Sequence, residues 1–343
     1  MKKATVTKAI IVVISLTLFF SFCIKNDAIG EDYSQVFEKA IDEAYDYPIT
    51  VGTKAWSELE FSSKRIALLR IPDETIANMS TEALLITILK NPYLSDIWAY
   101  DSEITGYEMT KGYVDGLSEL LTRDETKDLI DNLIIQEDII KKIELNISDD
   151  EKINYDSVVL KLKLLKDLYN YLHTNDIGSG TTKSGVYSDI LTPNGSPVSY
   201  YYDLTFSSHG TTISEAQTKQ AGLLATYTSA SVIRNVSAST AKYNCHSYAW
   251  YSSASTNKYW IDDPSLYMID GSYSSGITYV GSILCWKTKS GVPIHSGIVY
   301  ALSSGTTPTR VTSKWDYLGL IRHYTNACPY SNANISVVIS SWN

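Results

Sequence analysis

Apolar side chains recur at helical spacing along residues 31 to about 175. The stretches "MSTEALLITILKN" and "YDSVVLKLKLLKDLYNYLH" place apolar residues three and four positions apart, as in an amphipathic helix. Ser80 is a suitable N-cap, and Glu82 follows it in the first predicted turn. The pattern predicts an all-helical module over residues 31–175, built as a bundle or as a short stack of helical hairpins.

The pattern changes at Thr174. The segment "TNDIGSGTTKSGVYSDILTPNGSP" is rich in Gly, Ser, Thr and Asn, which predicts a linker or the entry to a second domain over residues 176–343. Beyond it, "SEAQTKQAGLLATYTS" predicts one helix and "NCHSYAWYSSA" the start of another. Four short runs predict strands: "YVGSILCWKT", "PIHSGIVYAL", "TRVTSKW" and "NISVVISSW". This order predicts an α+β domain with a helix packed on an antiparallel sheet.

Residues 1–30 have the pattern of a signal peptide. Three lysines precede the uncharged run "AIIVVISLTLFFSF", which is shorter than the ~20 residues of a membrane span. Small residues follow it, so we expect cleavage near Gly30. Cys23 would be a lipidation site only after a small residue, and Phe22 precedes it. An uncleaved N-terminal anchor remains an alternative.

Composition narrows the classes of function. The 343 residues carry a formal net charge of −9. Nucleic-acid binders usually have an excess of basic residues that contact phosphates, so this acidic composition disfavours that class. Removal of the signal peptide would leave three cysteines, Cys245, Cys285 and Cys328. In an oxidising compartment an odd number leaves a free thiol or an intermolecular pair.

Cys245 has the sequence context of an activated thiol. If Asn244 caps the helix, Cys245 occupies the first turn, where the N–H dipoles are expected to lower the pKa of its thiol. His246 is its neighbour, but adjacent helical side chains diverge by about 100°. His295 begins a predicted strand fifty residues later and is therefore the preferred general base, because such pairs meet in space and not in sequence.

The stretches "YNCHSYAW" and "VGSILCWKTKSGVPIHSGIVYAL" resemble the cysteine-peptidase superfamily of NlpC/P60 and CHAP amidases. In that superfamily an Asp-Cys or Asn-Cys pair opens a helix, a Gly-Asp pair begins a strand, and a later strand begins His-x-Gly-Ile. Asn244-Cys245, Gly281-Ser282 and residues 295–298 stand at these places, and the resemblance spans residues 242–315. Ser282 departs from the usual acidic residue. The resemblance implies a papain-like C-terminal domain in which Cys245 attacks a carbonyl and His295 transfers the proton.

A third polar residue orients the histidine in that superfamily. Ser313, Asp316 and His323 are the candidates here, and His323 is preferred because a neutral imidazole can accept from the other ring nitrogen of the base. The Cys245 backbone N–H is the expected oxyanion donor.

Two structural alternatives bear on Cys245. A disulfide would remove its nucleophilicity, and we expect Cys285 and Cys328 to form the bridge, although three pairings are open. A metal site built from Cys245, His246, His295 and His323 is disfavoured, because adjacent Cys-His lacks the ligand spacing of zinc sites. The expected hydrolysis therefore needs no metal or organic cofactor.

These patterns and the resemblance together predict a secreted or cell-surface bacterial cysteine hydrolase. Its expected substrate is a peptide or amide bond, with the stem or bridge peptides of peptidoglycan as the preferred class. The helical module is available for an unidentified protein or cell-wall partner, and no stable membrane insertion is expected after signal cleavage. Two alternatives remain: a protein-directed deamidase or amide transferase, and a non-catalytic surface or adhesion protein with structural cysteines.

Overall fold

The structure is a computed structural model, and it describes residues 39–40, 43–59, 62–142, 149–174, 186–237, 240–303, 305–332 and 338–342. The expected signal peptide, with Cys23, lies outside these residues. Within the described part of the chain, no helix is both long enough and apolar enough to cross a membrane.

The chain divides into two compact units that interleave in sequence. The first comprises Met1–Tyr47, Ile71–Asn91 and Asp115–Asp176, and the second comprises Pro48–Arg70, Pro92–Val114 and Ile177–Asn343. Two segments that precede residue 175 therefore belong to the same unit as the C-terminal half.

The first unit is helical, as the apolar spacing predicts. Its described helices are Asp73–Asn78, Thr81–Lys90, Leu117–Thr122, Thr126–Lys142 and Asp149–Thr174. Ser80 is the N-cap of Thr81–Lys90, since its side chain accepts the N–H of Ala83 at 3.2 Å. This helix buries Leu84, Leu85 and Ile88 against its neighbours, which supplies the apolar core of the unit.

The second unit mixes helices with antiparallel sheets, so the α+β class is confirmed. Its described α-helices are Lys54–Glu58, Ser62–Leu68, Glu103–Thr110, Ile213–Thr226, Ser265–Ile269 and Pro329–Asn332. Its 3₁₀ segments are Pro92–Ala99, Phe206–His209 and Thr240–Lys242, and a π-helical turn spans Ser247–Tyr251. The predicted helix at "SEAQTKQAGLLATYTS" is thus confirmed. A segment that precedes residue 175 is hydrogen-bonded to the end of this helix. Trp56 Nε1 and Arg65 Nη1 both donate to the Thr226 carbonyl, at 3.2 and 3.1 Å.

Nine strands form two antiparallel sheets among the described residues. They are β1 Tyr187–Leu191, β2 Pro197–Tyr202, β3 Ser231–Arg234, β4 Tyr259–Trp260, β5 Ile283–Lys287, β6 Pro293–Leu302, β7 Pro308–Lys314, β8 Leu320–Tyr324 and β9 Val338–Trp342. The orders are β1-β2-β4 and β3-β8-β7-β6-β5-β9. The four predicted strands are β5, β6, β7 and β9. Sequence patterns did not identify β1 to β4 or β8.

The two faces of β6 carry different partners. Ser296 bonds to His246 and Trp250 of the helical segment that begins at Cys245, which defines the Ser296 face of the sheet. Side chains alternate along a strand, so His295 and Gly297 point to the opposite face, here called the His295 face. A Cβ on Gly297 would collide with Val311 Cγ1 of the neighbouring strand β7, which explains why glycine occupies this position of β6.

Candidate active site at Cys245

Asn244 begins the helical segment that carries Cys245. Its Oδ1 accepts the N–H of Ser247 at 3.1 Å, which is the N-cap bond predicted from the sequence. Its Nδ2 donates to the Ile261 carbonyl at 2.7 Å and to Asp101 Oδ2 at 3.0 Å. Cys245 is the first helical residue, and the segment continues as a π-helical turn over Ser247–Tyr251. The cap therefore also fixes a carboxylate beside the start of the helix.

Cys245 lies among polar groups, with only 1% of its surface exposed. One oxygen of Asp101, one ring nitrogen of His246 and the Cys245 Sγ all lie within 4.8 Å of one another. The backbone N–H of Ser296 also donates to the thiol. These contacts bring three chemically distinct groups together around one sulfur atom.

The resting thiol of Cys245 is protonated. Burial raises its pKa well above the ordinary value of 9.0, and the negative charge of Asp101 raises it further. The expectation that the helix N-terminus would lower this pKa is therefore wrong for the closed structure. Loss of hydration outweighs the helix dipole and the N–H bond from Ser296, because each of these compensates only part of the cost of a buried anion.

His246 is closer to the thiol than the divergence of neighbouring helical side chains suggests. Its Nδ1 lies 2.9 Å from Ser296 Oγ, and Trp250 Nε1 donates to the same oxygen at 2.8 Å. Cys245 also contacts Ser296, so a shared partner on β6 holds both side chains near one another. Burial lowers the pKa of His246 to about 4, so this imidazole is neutral at physiological pH.

His295 lies in an aromatic environment on the opposite face of the sheet. Its ring stacks on Tyr330 with centroids 3.4 Å apart, and the Trp286 ring lies at 5.0 Å. It is fully buried, and neither ring nitrogen has a hydrogen-bond partner among the described residues. Burial lowers its pKa well below 6.5, with smaller effects from His323 and His246. His295, the expected base, is therefore a neutral imidazole without a hydrogen-bond partner among the described residues.

The predicted hydrogen bond between His323 and His295 is not formed. One nitrogen of His323 lies 2.8 Å from Ser313 Oγ, the other lies 2.9 Å from the Tyr324 carbonyl oxygen, and the two imidazole centroids are 6.4 Å apart. Asp316 does not bond to His295 either, since both nitrogens of that ring lack a partner among the described residues. None of the three proposed orienting residues holds His295 in the closed structure.

Two charged residues near Cys245 were not identified from the sequence. Asp101 follows a 3₁₀ segment in the N-terminal half, where no motif marks it. Lys314 is fully buried at the end of β7, and its Nζ donates to the Asp316 carbonyl at 2.7 Å. Burial lowers the pKa of Lys314 to about 7, and Asp316 and Cys245 oppose this shift. A lysine ending a strand-like run gives no sign that it will be buried.

The expected disulfide between Cys285 and Cys328 is absent, since both residues and Cys245 are free and buried. Cys285 packs in the apolar cluster on the Ser296 face. Cys328 lies after β8, where its Sγ is 3.2 Å from Ser331 Oγ. The two thiols therefore occupy different surroundings, and pairing them would require a change in both.

Comparison of this chain with models of known families, with curated proteins and with solved structures finds no match.

Proposed function

We propose that the protein is a cysteine hydrolase that cleaves peptide or amide bonds, with Cys245 as the nucleophile. The observation that carries this proposal is the placement of Cys245 as the first residue of a helix capped by Asn244, with a ring nitrogen of His246 within 4.8 Å of its sulfur. A cysteine beside an imidazole and a helix N-terminus is the usual setting of a reactive thiol.

In the proposed reaction, Cys245 Sγ attacks the substrate carbonyl carbon and its proton passes to an imidazole. The imidazole returns the proton to the leaving amine, and water then hydrolyses the thioester. The Cys245 backbone N–H at the start of the helix is the proposed donor to the oxyanion. The site is buried, so its donors act in a low dielectric.

His295 is the proposed general base. A base needs a nitrogen that can accept a proton, and both nitrogens of His295 lack a partner among the described residues. A buried polar group left in this way is costly and is a frequent sign of function. The peptide unit that joins His295 to Ser296 donates its N–H to the thiol, which keeps the backbone of the base beside the nucleophile.

His246 is the rival base within the same function. A nitrogen of its ring is near the sulfur, and Ser296 orients the ring through Nδ1. This arrangement of a nucleophile, a base and an orienting group matches the logic of catalytic triads. Single substitutions distinguish the two histidines, because each removes one imidazole and leaves the other in place.

Hydrolysis at Cys245 requires the closed pocket to open. The thiol and the His295 ring are both buried, and Tyr330 lies over that ring. The Tyr330 hydroxyl donates to the Ala99 carbonyl, which fixes the aromatic cover. Movement of the Pro329–Asn332 helix is the proposed step that uncovers His295. The freed imidazole would then turn from the His295 face toward the thiol, and its pKa would rise toward that of a useful base.

The proposed substrate class rests on the family resemblance alone. It consists of peptide bonds of cell-wall peptidoglycan, acted on by a secreted or cell-surface bacterial enzyme. Amide transfer or deamidation on a protein uses the same cysteine and base. An added amine would divert the thioester to a new amide in a transferase, whereas a hydrolase would release the free acid.

A non-catalytic surface protein is the second candidate, and the burial of the three cysteines that the structure describes favours it. In such a protein Cys245 would be a packed side chain. It would react with iodoacetamide at mildly acidic pH only after denaturation. A catalytic thiol in a pocket that opens would be alkylated in the native protein before Cys285 and Cys328.

The decisive experiment compares Cys245→Ala with the matched control Cys285→Ala, because both remove a buried thiol. Release of new amino groups from purified peptidoglycan and from a peptide library is measured with the full chain. We expect Cys245→Ala to abolish turnover and Cys285→Ala to retain it, with both variants folded by circular dichroism. Equal turnover by the two variants would overturn the role of Cys245.

A further inference from the structure

The grouping of Asp101, Cys245 and His246 has the composition of a metal site. Each side chain offers one ligand atom, and the three atoms lie within 4.8 Å of one another. Asp101 is separated from the two others by more than 140 positions, so the spacing rules for zinc motifs along a sequence do not reveal the set.

Groups around the three side chains hold them in place. Asn244 Nδ2 donates to Asp101 Oδ2 at 3.0 Å, and Ser296 Oγ lies 2.9 Å from His246 Nδ1. A histidine bonded through Nδ1 presents its other nitrogen to an ion, and such outer partners are typical of metal-binding imidazoles. Trp250 Nε1 in turn fixes the Ser296 hydroxyl at 2.8 Å. The ligand set is therefore supported by a second layer of hydrogen bonds.

We propose that Asp101, Cys245 and His246 bind one Zn²⁺ ion. Sulfur, nitrogen and a single carboxylate match the preference of zinc, whereas Ca²⁺ and Mg²⁺ require shells of oxygen. Three protein ligands leave a fourth tetrahedral position for water. Asp101 is partly exposed, which gives the ion a path from solvent to the two buried ligands.

Charge balance supports a divalent ion at this place. On binding, the Cys245 thiol loses its proton to solvent and the resulting thiolate forms the Zn–S bond. The thiolate and the Asp101 carboxylate carry two negative charges, which the ion neutralises, so the buried complex has no net charge. Lys314 is the nearby basic group that would repel the ion, and its amine is held by the Asp316 carbonyl.

This inference does not rest on the proposed hydrolysis. A thiolate bound to Zn²⁺ is not available to attack a carbonyl, so the zinc-bound protein would be an inactive form. A bound ion would also link Asp101 to the helix start.

The test uses the full chain, stripped with a chelator and titrated anaerobically with Co²⁺ alone. Co²⁺ bound by a thiolate gives a near-ultraviolet charge-transfer band, and tetrahedral sites give visible bands. We expect one Co²⁺ per chain, displaced by Zn²⁺. Cys245→Ser should abolish the charge-transfer band, while the matched control Cys285→Ser should keep it. Asp101→Asn, which preserves shape, should weaken binding by at least ~10-fold, on the scale of altered metal shells.

Retention of the band by Cys245→Ser, or unchanged affinity in folded Asp101→Asn, would overturn the metal site. Absence of Co²⁺ and Zn²⁺ binding by the wild-type chain would do the same. If that chain still hydrolyses substrate through Cys245, the proposed function stands and only this inference fails. If Zn²⁺ binds and the metal-free chain cleaves no substrate, the site stands and the hydrolase proposal fails.

Discussion

Ser296 and His295 are adjacent residues of β6, and their side chains have chemically different surroundings on the two faces of the sheet. On the Ser296 face, the hydroxyl contacts His246 and Trp250, and the same residue donates its N–H to Cys245. On the His295 face, the imidazole contacts the rings of Tyr330 and Trp286 and has no hydrogen-bond partner in the part of the chain that the structure describes. The Ser296 hydroxyl is thus hydrogen-bonded, whereas both nitrogens of His295 lack a partner among the described residues.

The two-residue period of a strand decides which of two neighbouring motif residues reaches a given partner. The sequence order places His295 at the start of a strand that runs beside Cys245. The alternation of side chains then turns Ser296 toward the cysteine segment and His295 away from it. In the proposed function, the side chain with unsatisfied nitrogens is the group that must change its surroundings before catalysis.

Single substitutions of the two candidate bases should change the catalytic rate more than any other substitution considered below changes its own measured quantity. His295→Gln should lower kcat/KM by about 10²–10⁴-fold, the usual contribution of a general base. His246→Gln should retain most activity, because glutamine can preserve a bond to Ser296. Steady-state kinetics on a cleavable peptide measures both. The reverse ranking would assign the base to His246 and the Ser296 face.

The buried His323 on the His295 face should contribute to the fall of the unfolding free energy at acidic pH. Burial lowers its pKa from 6.5 to about 4, so the unfolded chain binds a proton that the folded chain excludes between these values. Its contribution to stability is therefore present above about pH 6.5 and is lost as the pH falls through about 4. The loss is on the order of 3 kcal/mol. His295, with a pKa shifted in the same direction, faces His323 and adds to the slope.

Denaturant unfolding of His323→Gln across this range measures the contribution. The variant should show a flatter fall in unfolding free energy between pH 6.5 and pH 4 than the wild type. Asp96 provides a control of opposite sign, because burial raises its pKa from 3.8 to about 7. Its contribution is present below about pH 3.8 and is lost as the pH rises through about 7. Asp96→Asn should therefore steepen the acid loss. An unchanged slope in His323→Gln would show that this imidazole is not buried in neutral form.

Local signals in the sequence predict a large part of the fold. Asn244 caps its helix because an Asn side chain satisfies an N–H three residues on, which depends on few other residues. Short strand-like runs likewise identify β5, β6, β7 and β9, because this signal depends only on residues that are close together in the sequence. By contrast, β8 is a short strand at "LIRHY", and its pairing with β3 and β7 depends on the assembled sheet.

The candidate site was less predictable, because distant packing and burial determine it. Asp101 approaches Cys245 only after two separate parts of the chain have packed into one unit. The direction of the Cys245 pKa shift depends on desolvation, which no local motif shows. The free state of Cys285 and Cys328 likewise follows from their separate surroundings and not from their number.

The smallest expected effect comes from paired serine substitutions on the two faces. Ser296→Ala removes a hydroxyl that hydrogen-bonds to His246 and Trp250, whereas Ser313→Ala removes one whose only side-chain hydrogen bond among the described residues is to His323. Leaving a buried donor without a partner costs about 1–3 kcal/mol, so Ser296→Ala should lower the unfolding free energy more than Ser313→Ala. Urea unfolding at pH 7 measures the difference. Equal losses would mean that the Trp250 indole finds another acceptor, and that the hydrogen bonds of the Ser296 face do not hold the cysteine segment in place.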